Sequence, residues 1–232
     1  MSNATLLSLP GTVQQAPAGQ KGFDVNQPLS AGQAQDLQNA GYAFCIRYIP
    51  RTAKLVRNNL TNAEALNILN AGLALMAVQH VALPGWAPTV ALGTAYGNYA
   101  ATYAQQTVGL PQGLNIWCDL EEVAEGSAAA DVIAYCQAWY AAVDTAGYIP
   151  GLYVGYGTGL TPQQLYSSLS FKHYWRAYNG PLVATRGYQL LQKTEVTVNG
   201  ITIDPNITQN DNLGGAVLWL AASNPNLSAQ TV

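Results

Sequence analysis

The segment Leu114-Asn115-Ile116-Trp117-Cys118-Asp119-Leu120-Glu121-Glu122 decides how the rest of the chain is read. It opens as an apolar, strand-like run and closes on two carboxylates with one residue between them. Residues two apart on a strand project to the same face. Asp119 and Glu121 therefore stand side by side where a buried strand runs out into a loop. The chain holds only 12 acids in 232 residues, so a pair ending an apolar run marks the place where chemistry is expected.

The flanking sequence repeats one grammar. Gly22-Phe23-Asp24-Val25 reads as a short strand. Ser30-Ala31-Gly32-Gln33 is a capping box opening a helix that ends at Ala40, with Gly41 as its terminator. Tyr42–Ile49 is the second strand, Thr61-Asn62-Ala63-Glu64 the second capping box and Leu73–Val78 the third strand. An Ala- and Tyr-rich helix from about Thr89 to Gly109 feeds the Asp119 strand. A further helix from about Ser127 to Ala146 leads to the strand Gly151–Gly155. Thr161-Pro162-Gln163-Gln164 then caps a helix with proline at its first position, ahead of the strand Tyr174–Tyr178. Five such rounds specify βα units on a parallel sheet.

After Tyr178 the helices stop. Gly187–Gln192 is strand-like, and Val196–Ile203 reads as a hairpin turning at Asn199-Gly200, a type I′ signal. The expected fold is α/β, a TIM-like barrel of five βα units closed by three strands lacking regular helices. It spans residues 21–222, preceded by an extended leader (1–20) and followed by a tail (223–232). An open doubly wound sheet is the alternative, without a glycine-rich dinucleotide loop to support it.

Composition narrows the function. Apolar residues make up 49% and charged residues only 9%, against the usual quarter, so the surface must rely on amides, hydroxyls and backbone. A net charge of −3 gives no case for nucleic acid or an anionic membrane as partner. Cys45, Cys118 and Cys136 lie in apolar patterns without C-x-x-C spacing and read as buried free thiols. With two histidines, no metal site and no cofactor is expected, and the chain is read as a monomer. The N-terminus lacks a basic n-region and no apolar run reaches the ~18 residues that span a bilayer. The reading is a soluble chain without a signal peptide, leaving the cytoplasm, if it does, by a non-classical, phage or injection-type route.

In a parallel barrel the loops after the strands gather on one rim, where ligand chemistry is found. Asp24 ends the first strand, Asp119 and Glu121 the fourth, and Asp204 the eighth, which neighbours the first on closure. Four carboxylates then converge on one mouth, and at least one should titrate high, as a general acid near neutral pH requires. Asp24 and Asp204 also fit turn residues, and Glu122 and Glu125 read as solvated loop charges. Trp86, Tyr153, Tyr156, Trp175 and Tyr178 lie in or near strand ends, as sugar-stacking rings or as core. Arg47, Arg51, Lys54 and Arg57 supply four of the nine basic residues, as an anion-attracting lip or a solvated loop. His80 ends the third strand, as a donor into the mouth or a structural histidine.

Gly22-Phe23-Asp24-Val25, Asp119-Leu120-Glu121, Gly151-Leu152-Tyr153, Trp175-Arg176-Ala177-Tyr178, Tyr188-Gln189 and Ile203-Asp204-Pro205-Asn206 fall in the order of the family-25 lysozymes, which the chain resembles over roughly residues 21–221. Asn26-Gln27-Pro28-Leu29, Gln79-His80 and Trp117-Cys118-Asp119-Leu120-Glu121 are more similar to the glycoside-hydrolase-like proteins grouped as domain of unknown function 1906. The resemblance implies cleavage of a polysaccharide such as peptidoglycan at a β-1,4 linkage to an N-acetylated sugar. It makes Glu121 the proton donor and Asp119 the group that stabilises the oxocarbenium or orients the acetamido group. Asp24 and Asp204 would tune pKa values and position substrate. Substrate contacts are expected from Trp86, His80, Arg47 and Tyr153, and from Trp175, Tyr178 and Gln189. The lysozyme opening continues with an S-x-[WY]-Q-like segment, where this chain has Asn26-Gln27-Pro28. Two other readings stand beside this one. One is a glycan-binding or structural barrel without turnover. The other is a metal-dependent phosphodiesterase built on the four carboxylates and His80.

Overall fold

Local signals place most element ends. The Ser30 hydroxyl accepts the Gln33 amide at 3.2 Å while Gln33 accepts the Ser30 amide at 2.9 Å. Helix α1 (Ala31–Asn39) starts there and stops at the left-handed Gly41, φ 89°. Thr161 and Gln164 cap helix α5 (Pro162–Ser167) in the same reciprocal way. At Thr61 only half of the expected box forms. The hydroxyl accepts the Glu64 amide at the start of α2 (Asn62–Asn70), but the Glu64 carboxylate turns inward to Arg47 instead. The long helix expected from Thr89 is α3 (Val90–Thr102), which widens into a π-type stretch over Tyr103–Val108 and ends at left-handed Gly109. Helix α4 (Ala129–Thr145) packs closely on α3.

The computed structural model describes residues 7–55 and 58–222. Arg57, the first six residues of the expected leader and the expected tail 223–232 lie outside them. The strands are β1 (Thr12–Gln15), β2 (Lys21–Val25), β3 (Phe44–Ile49), β4 (Ala74–Gln79), β5 (Asn115–Leu120), β6 (Ile149–Val154), β7 (His173–Arg176), β8 (Leu190–Gln192), β9 (Val196–Val198), β10 (Ile201–Thr208) and β11 (Leu218–Ala221). Eight of them close a barrel in the order β2-β3-β4-β5-β6-β7-β8-β10, with β4 pairing β5 and β10 returning to β2. The seams from β2 round to β8 are parallel, whereas β10 runs antiparallel to both β8 and β2. The first five barrel strands are each followed by a helix, and the last three are not. This is the α/β barrel of five βα units with a helix-poor closure.

The hairpin β9–β10 turns at Asn199 (φ 49°) and Gly200 (φ 78°), as a type I′ turn demands. The described part of the expected leader, residues 7–20, contributes a strand to the sheet. β1 pairs antiparallel with β11, from Thr12 opposite Ala221 to Gln15 opposite Leu218, and β11 lies along β4. This ribbon covers the end of the barrel opposite the acids, where Trp219 packs 5.5 Å from Phe44, centroid to centroid.

Side-chain alternation sorts the barrel into two cores. On β5, Ile116, Cys118 and Leu120 pack outward under the helices, while Trp117 packs inward with Phe44, Ile46, Met76, Val78, Tyr153 and Trp175. The inner core is tight because large side chains sit over glycines of the next strand. A Cβ on Gly22 would lie 2.4 Å from the Phe44 ring, and one on Gly151 2.3 Å from Trp117. All three cysteines are free and buried. Among the described residues no helix is long and apolar enough to cross a membrane.

Candidate active site

The inward phase of β5 runs Trp117, Asp119 and then Glu121 just past the strand end. Asp119 lies beside Tyr153 in register, and Glu121 leans over Gly155, where a Cβ would sit 2.4 Å from its Oε2. The Asp119 Oδ1 is buried without a hydrogen-bond partner. Across the mouth, Asp204 is the register partner of Asp24. The sequence reading put Asp204 at the far end of a parallel strand. It lies instead inside the antiparallel strand β10 and reaches the mouth from the opposite chain direction.

Asp24 is held by three donors. Tyr48 donates its hydroxyl to Oδ1 at 3.2 Å, and Gln192 Nε2 and Asn206 Nδ2 donate to Oδ2 at 3.0 and 2.7 Å. The network extends outward: Trp175 Nε1 donates to Asn206 Oδ1 at 2.7 Å, and Tyr153 donates to Gln192 Oε1 at 2.9 Å. Tyr48, Gln192 and Asn206 were not selected as site residues from sequence, although each shares the inward phase of its strand.

Electrostatics follow from this arrangement. Burial and then the Glu121 and Asp24 charges push the Asp119 carboxyl well above the usual range, with a backbone interaction from Val81 acting the other way. Burial, then Glu122, pushes Glu121 up to about 7. Burial, then Asp204, pushes Asp24 up to about 7 even against its three donors. Asp204, half-buried, is raised by burial and by Glu195. The Tyr48 and Tyr153 phenols are raised by burial and by the surrounding carboxylates. Four acids with raised pKa values and two neutral phenols line one mouth.

The remaining predicted residues divide sharply. Tyr153 reaches the acids, but it is 8% exposed and packs edge-on to Trp175 at 4.6 Å, so it offers no stacking face. Trp175, 1% exposed, is inner core. Trp86 packs edge-on to Tyr135 at 4.8 Å and donates its indole N–H to the Glu121 carbonyl at 2.9 Å. Tyr178 and the neighbouring Tyr156 are exposed rim rings. His80 lies against Tyr48 at 4.7 Å, and burial with Arg47 and Arg51 lowers it to about 4, so it is neutral.

Arg47 is a correction: it points outward from β3, fully buried, with Nε 2.6 Å from Glu64 and Nη1 donating to the Val25 carbonyl. It has no surface to offer a substrate. Arg51 donates to the Val81 carbonyl and Lys54 is exposed, so no basic lip of four assembles from the described residues. Gln189 is likewise buried and occupied, accepting the Tyr174 amide at 2.6 Å and donating to the Lys172 carbonyl at 2.9 Å.

Among the described residues no group of three or more His, Cys, Asp or Glu is placed to hold a metal ion. A cavity of about 770 Å³ lies at the opposite end of the barrel between Trp219 and the ends of α1 and α2, and no charged side chain lines it. A cavity of about 270 Å³ lies on the Asp24 and Asp204 side of the mouth, lined also by Glu195 and Asn26, and Asp119 and Glu121 do not line it. The carboxylate chemistry, not cavity size, makes this mouth the candidate site.

Comparison with known proteins gives the family and the fold. Residues 35–208 match the model of the Rv2525c-like, glycoside hydrolase-like domain, and the chain belongs to that family. No curated protein matches it. Among solved structures it is similar to the Tat-secreted protein Rv2525c of Mycobacterium tuberculosis, with 14% identity, a TM-score of 0.63, and coverage of 84% of this chain and 97% of that one. The bacterial lysozyme from Streptomyces coelicolor is 16% identical at a TM-score of 0.54, covering 84% and 94%. A family 25 glycosyl hydrolase from Bacillus anthracis is 15% identical at a TM-score of 0.55, covering 83% and 90%. These likenesses establish the barrel fold.

Proposed function

We propose that the chain is a glycoside hydrolase acting on a bacterial cell-wall glycan, at a β-1,4 linkage to an N-acetylated sugar. The observation that carries this reading is the Asp119–Glu121 pair: one buried and one partly buried carboxyl on one strand face at the barrel mouth, with the Glu121 charge raising Asp119. Glu121, raised to about 7, keeps its proton near neutral pH and donates it to the leaving glycosidic oxygen. Asp119 faces the cationic sugar carbon or orients the acetamido group. Its unpartnered Oδ1 leaves an acceptor free for that task. Asp24, clamped by three donors, lies near Asp119 and raises its pKa, so the two take on negative charge less readily than ordinary carboxylates. Asp204, the register partner of Asp24, raises the Asp24 pKa in turn. The exposed rings of Tyr156 and Tyr178 on the rim provide apolar faces for the sugars. Membership of a glycoside hydrolase-like family and the likeness to lysozyme folds support the reading. A wall substrate places the working protein outside the cytoplasm.

The test is muropeptide release from purified peptidoglycan between pH 4 and 8. Wild type should release product, and Glu121→Gln should lose about 10²–10⁴-fold of the rate, the usual contribution of a general acid. Folded wild-type protein that releases nothing across this range overturns the proposal. One observation favours a second reading, a glycan-binding barrel without turnover: the cavity beside Asp24 and Asp204, about 270 Å³, is small for a ligand site and is not lined by Asp119 or Glu121. That reading expects saccharide binding without product and weaker binding by Tyr178→Ala.

A further inference from the structure

We propose that Gly155 and Trp86 are positioning residues that together seat Glu121, one by leaving space for its side chain and the other by anchoring its backbone. The inference rests on reading Glu121 as the proton donor. Gly155 follows β6 as Glu121 follows β5, and its amide donates to the Leu120 carbonyl at 3.0 Å. Its backbone is not in the left-handed region, so conformation does not require glycine there. Space does. A Cβ on Gly155 would lie 2.4 Å from Glu121 Oε2, 3.1 Å from Cδ and 2.5 Å from Cβ. Swinging the carboxyl aside would relieve the first contact but not the last, because the Glu121 Cβ is fixed to the backbone.

The backbone is pinned from the other side. Trp86 Nε1 donates to the Glu121 carbonyl at 2.9 Å, the Gly85 amide to the Glu122 carbonyl at 2.8 Å, and the Ala124 amide returns a bond to the Trp86 carbonyl at 2.9 Å. The Glu122 amide donates to the Tyr156 carbonyl at 2.8 Å, and Glu122 takes the left-handed conformation, φ 53°, that turns the chain after the acid. Three rim loops thus meet at Glu121. A proton donor must lie within hydrogen-bond reach of the leaving oxygen, and a misplacement of about 1 Å can cost roughly 10²-fold in rate.

The test uses the full chain. Gly155→Ala should lower the melting temperature by about 2–10 °C, as overpacking does. That loss should vanish when Gly155→Ala is made in a Glu121→Gly background, which removes the opposing Cβ. An equal loss in both backgrounds overturns the proposal, and this readout needs no activity. Where wild type releases muropeptides, Gly155→Ala should reduce kcat about 10- to 100-fold with KM unchanged, and an unchanged kcat overturns the proposal. Trp86→Phe keeps a ring against Tyr135 and removes only the donor. It should shift the titration midpoint of the Glu121 carboxyl, followed by ¹³C NMR, and a midpoint identical to wild type removes Trp86 from the seat.

Discussion

Two regions of the barrel bury charge, and they do so in opposite ways. On the outer face of β3, Arg47 meets Glu64 at 2.6 Å and donates to the Val25 and Asn58 carbonyls at 2.6 and 3.0 Å, while the Leu29 amide donates to Glu64 at 2.9 Å. Every charge there has a partner of opposite sign or a donor. At the mouth, Asp119 and Glu121 share one face, repel each other, and leave Asp119 Oδ1 without a partner. A compensated buried charge holds the fold together. An uncompensated one costs stability and is retained for chemistry.

The comparison breaks most easily at its compensated end. Glu64→Ala strands the Arg47 guanidinium inside the protein and should cost about 3–5 kcal/mol of unfolding free energy, measured by urea denaturation at pH 7. Asp119→Asn, applied to an equally buried acid, should cost little or raise stability. Equal losses in the two variants would dissolve the distinction between the regions.

The next effect is in pH. Asp24, Asp119 and Glu121 all have folded pKa values above the ordinary carboxylate range, the first and last near 7. Between about pH 4 and 7 these acids bind more protons in the folded protein than in the unfolded chain, so their contribution to stability falls as pH rises through this window, while His80 and His173, both lowered to about 4, contribute in the opposite sense. Each unit of upward shift is worth about 1.4 kcal/mol. Asp119→Asn should remove its share of that fall, read from chemical denaturation at pH 4 and pH 7. The same change in stability between pH 4 and 7 in wild type and in Asp119→Asn would show that burying Asp119 does not strain the mouth.

What could be read in the sequence followed from local rules. The period of two on β5 placed Asp119 and Glu121 on one face, and the capping boxes and glycine stops marked the βα units. The same period of two also contains the signal for Arg47. On β3, Phe44, Ile46 and Tyr48 form one phase and Cys45, Arg47 and Ile49 the other. Only the phase shared with Asp24's neighbours reaches the interior. Its position in a basic run drew attention away from that parity, and Tyr48, on the inward phase, was passed over. Other features depend on distant partners. Nothing near Thr12 announces a strand, since its partner Ala221 lies at the far end of the chain. The direction of β10 depends on where the hairpin re-enters the sheet, so Asp204 was placed beside Asp24 for a reason that the antiparallel register replaces. Depth is also nonlocal. Trp175 has the correct phase, but it lies in the core below the acids.

The smallest effect separates burial from charge at the mouth. Glu121 is raised first by burial and second by Glu122, an exposed carboxylate held beside it by a left-handed backbone. Glu122→Gln keeps the shape and removes the charge. It should lower the Glu121 midpoint by less than about one unit, because a solvent-exposed pair a few ångströms apart interacts by only about 1 kcal/mol. The sign is fixed: with a like charge gone, Glu121 loses its proton more readily and the basic limb of the rate profile moves to lower pH. The shift should be clear in about 10 mM salt and largely gone near 1 M, where the screening length is roughly 3 Å. The part owed to burial should survive at every salt concentration. A Glu121 midpoint that returns to the ordinary range in Glu122→Gln would mean that the mouth is set by exposed charge, and its contrast with the Arg47–Glu64 pair would no longer concern burial.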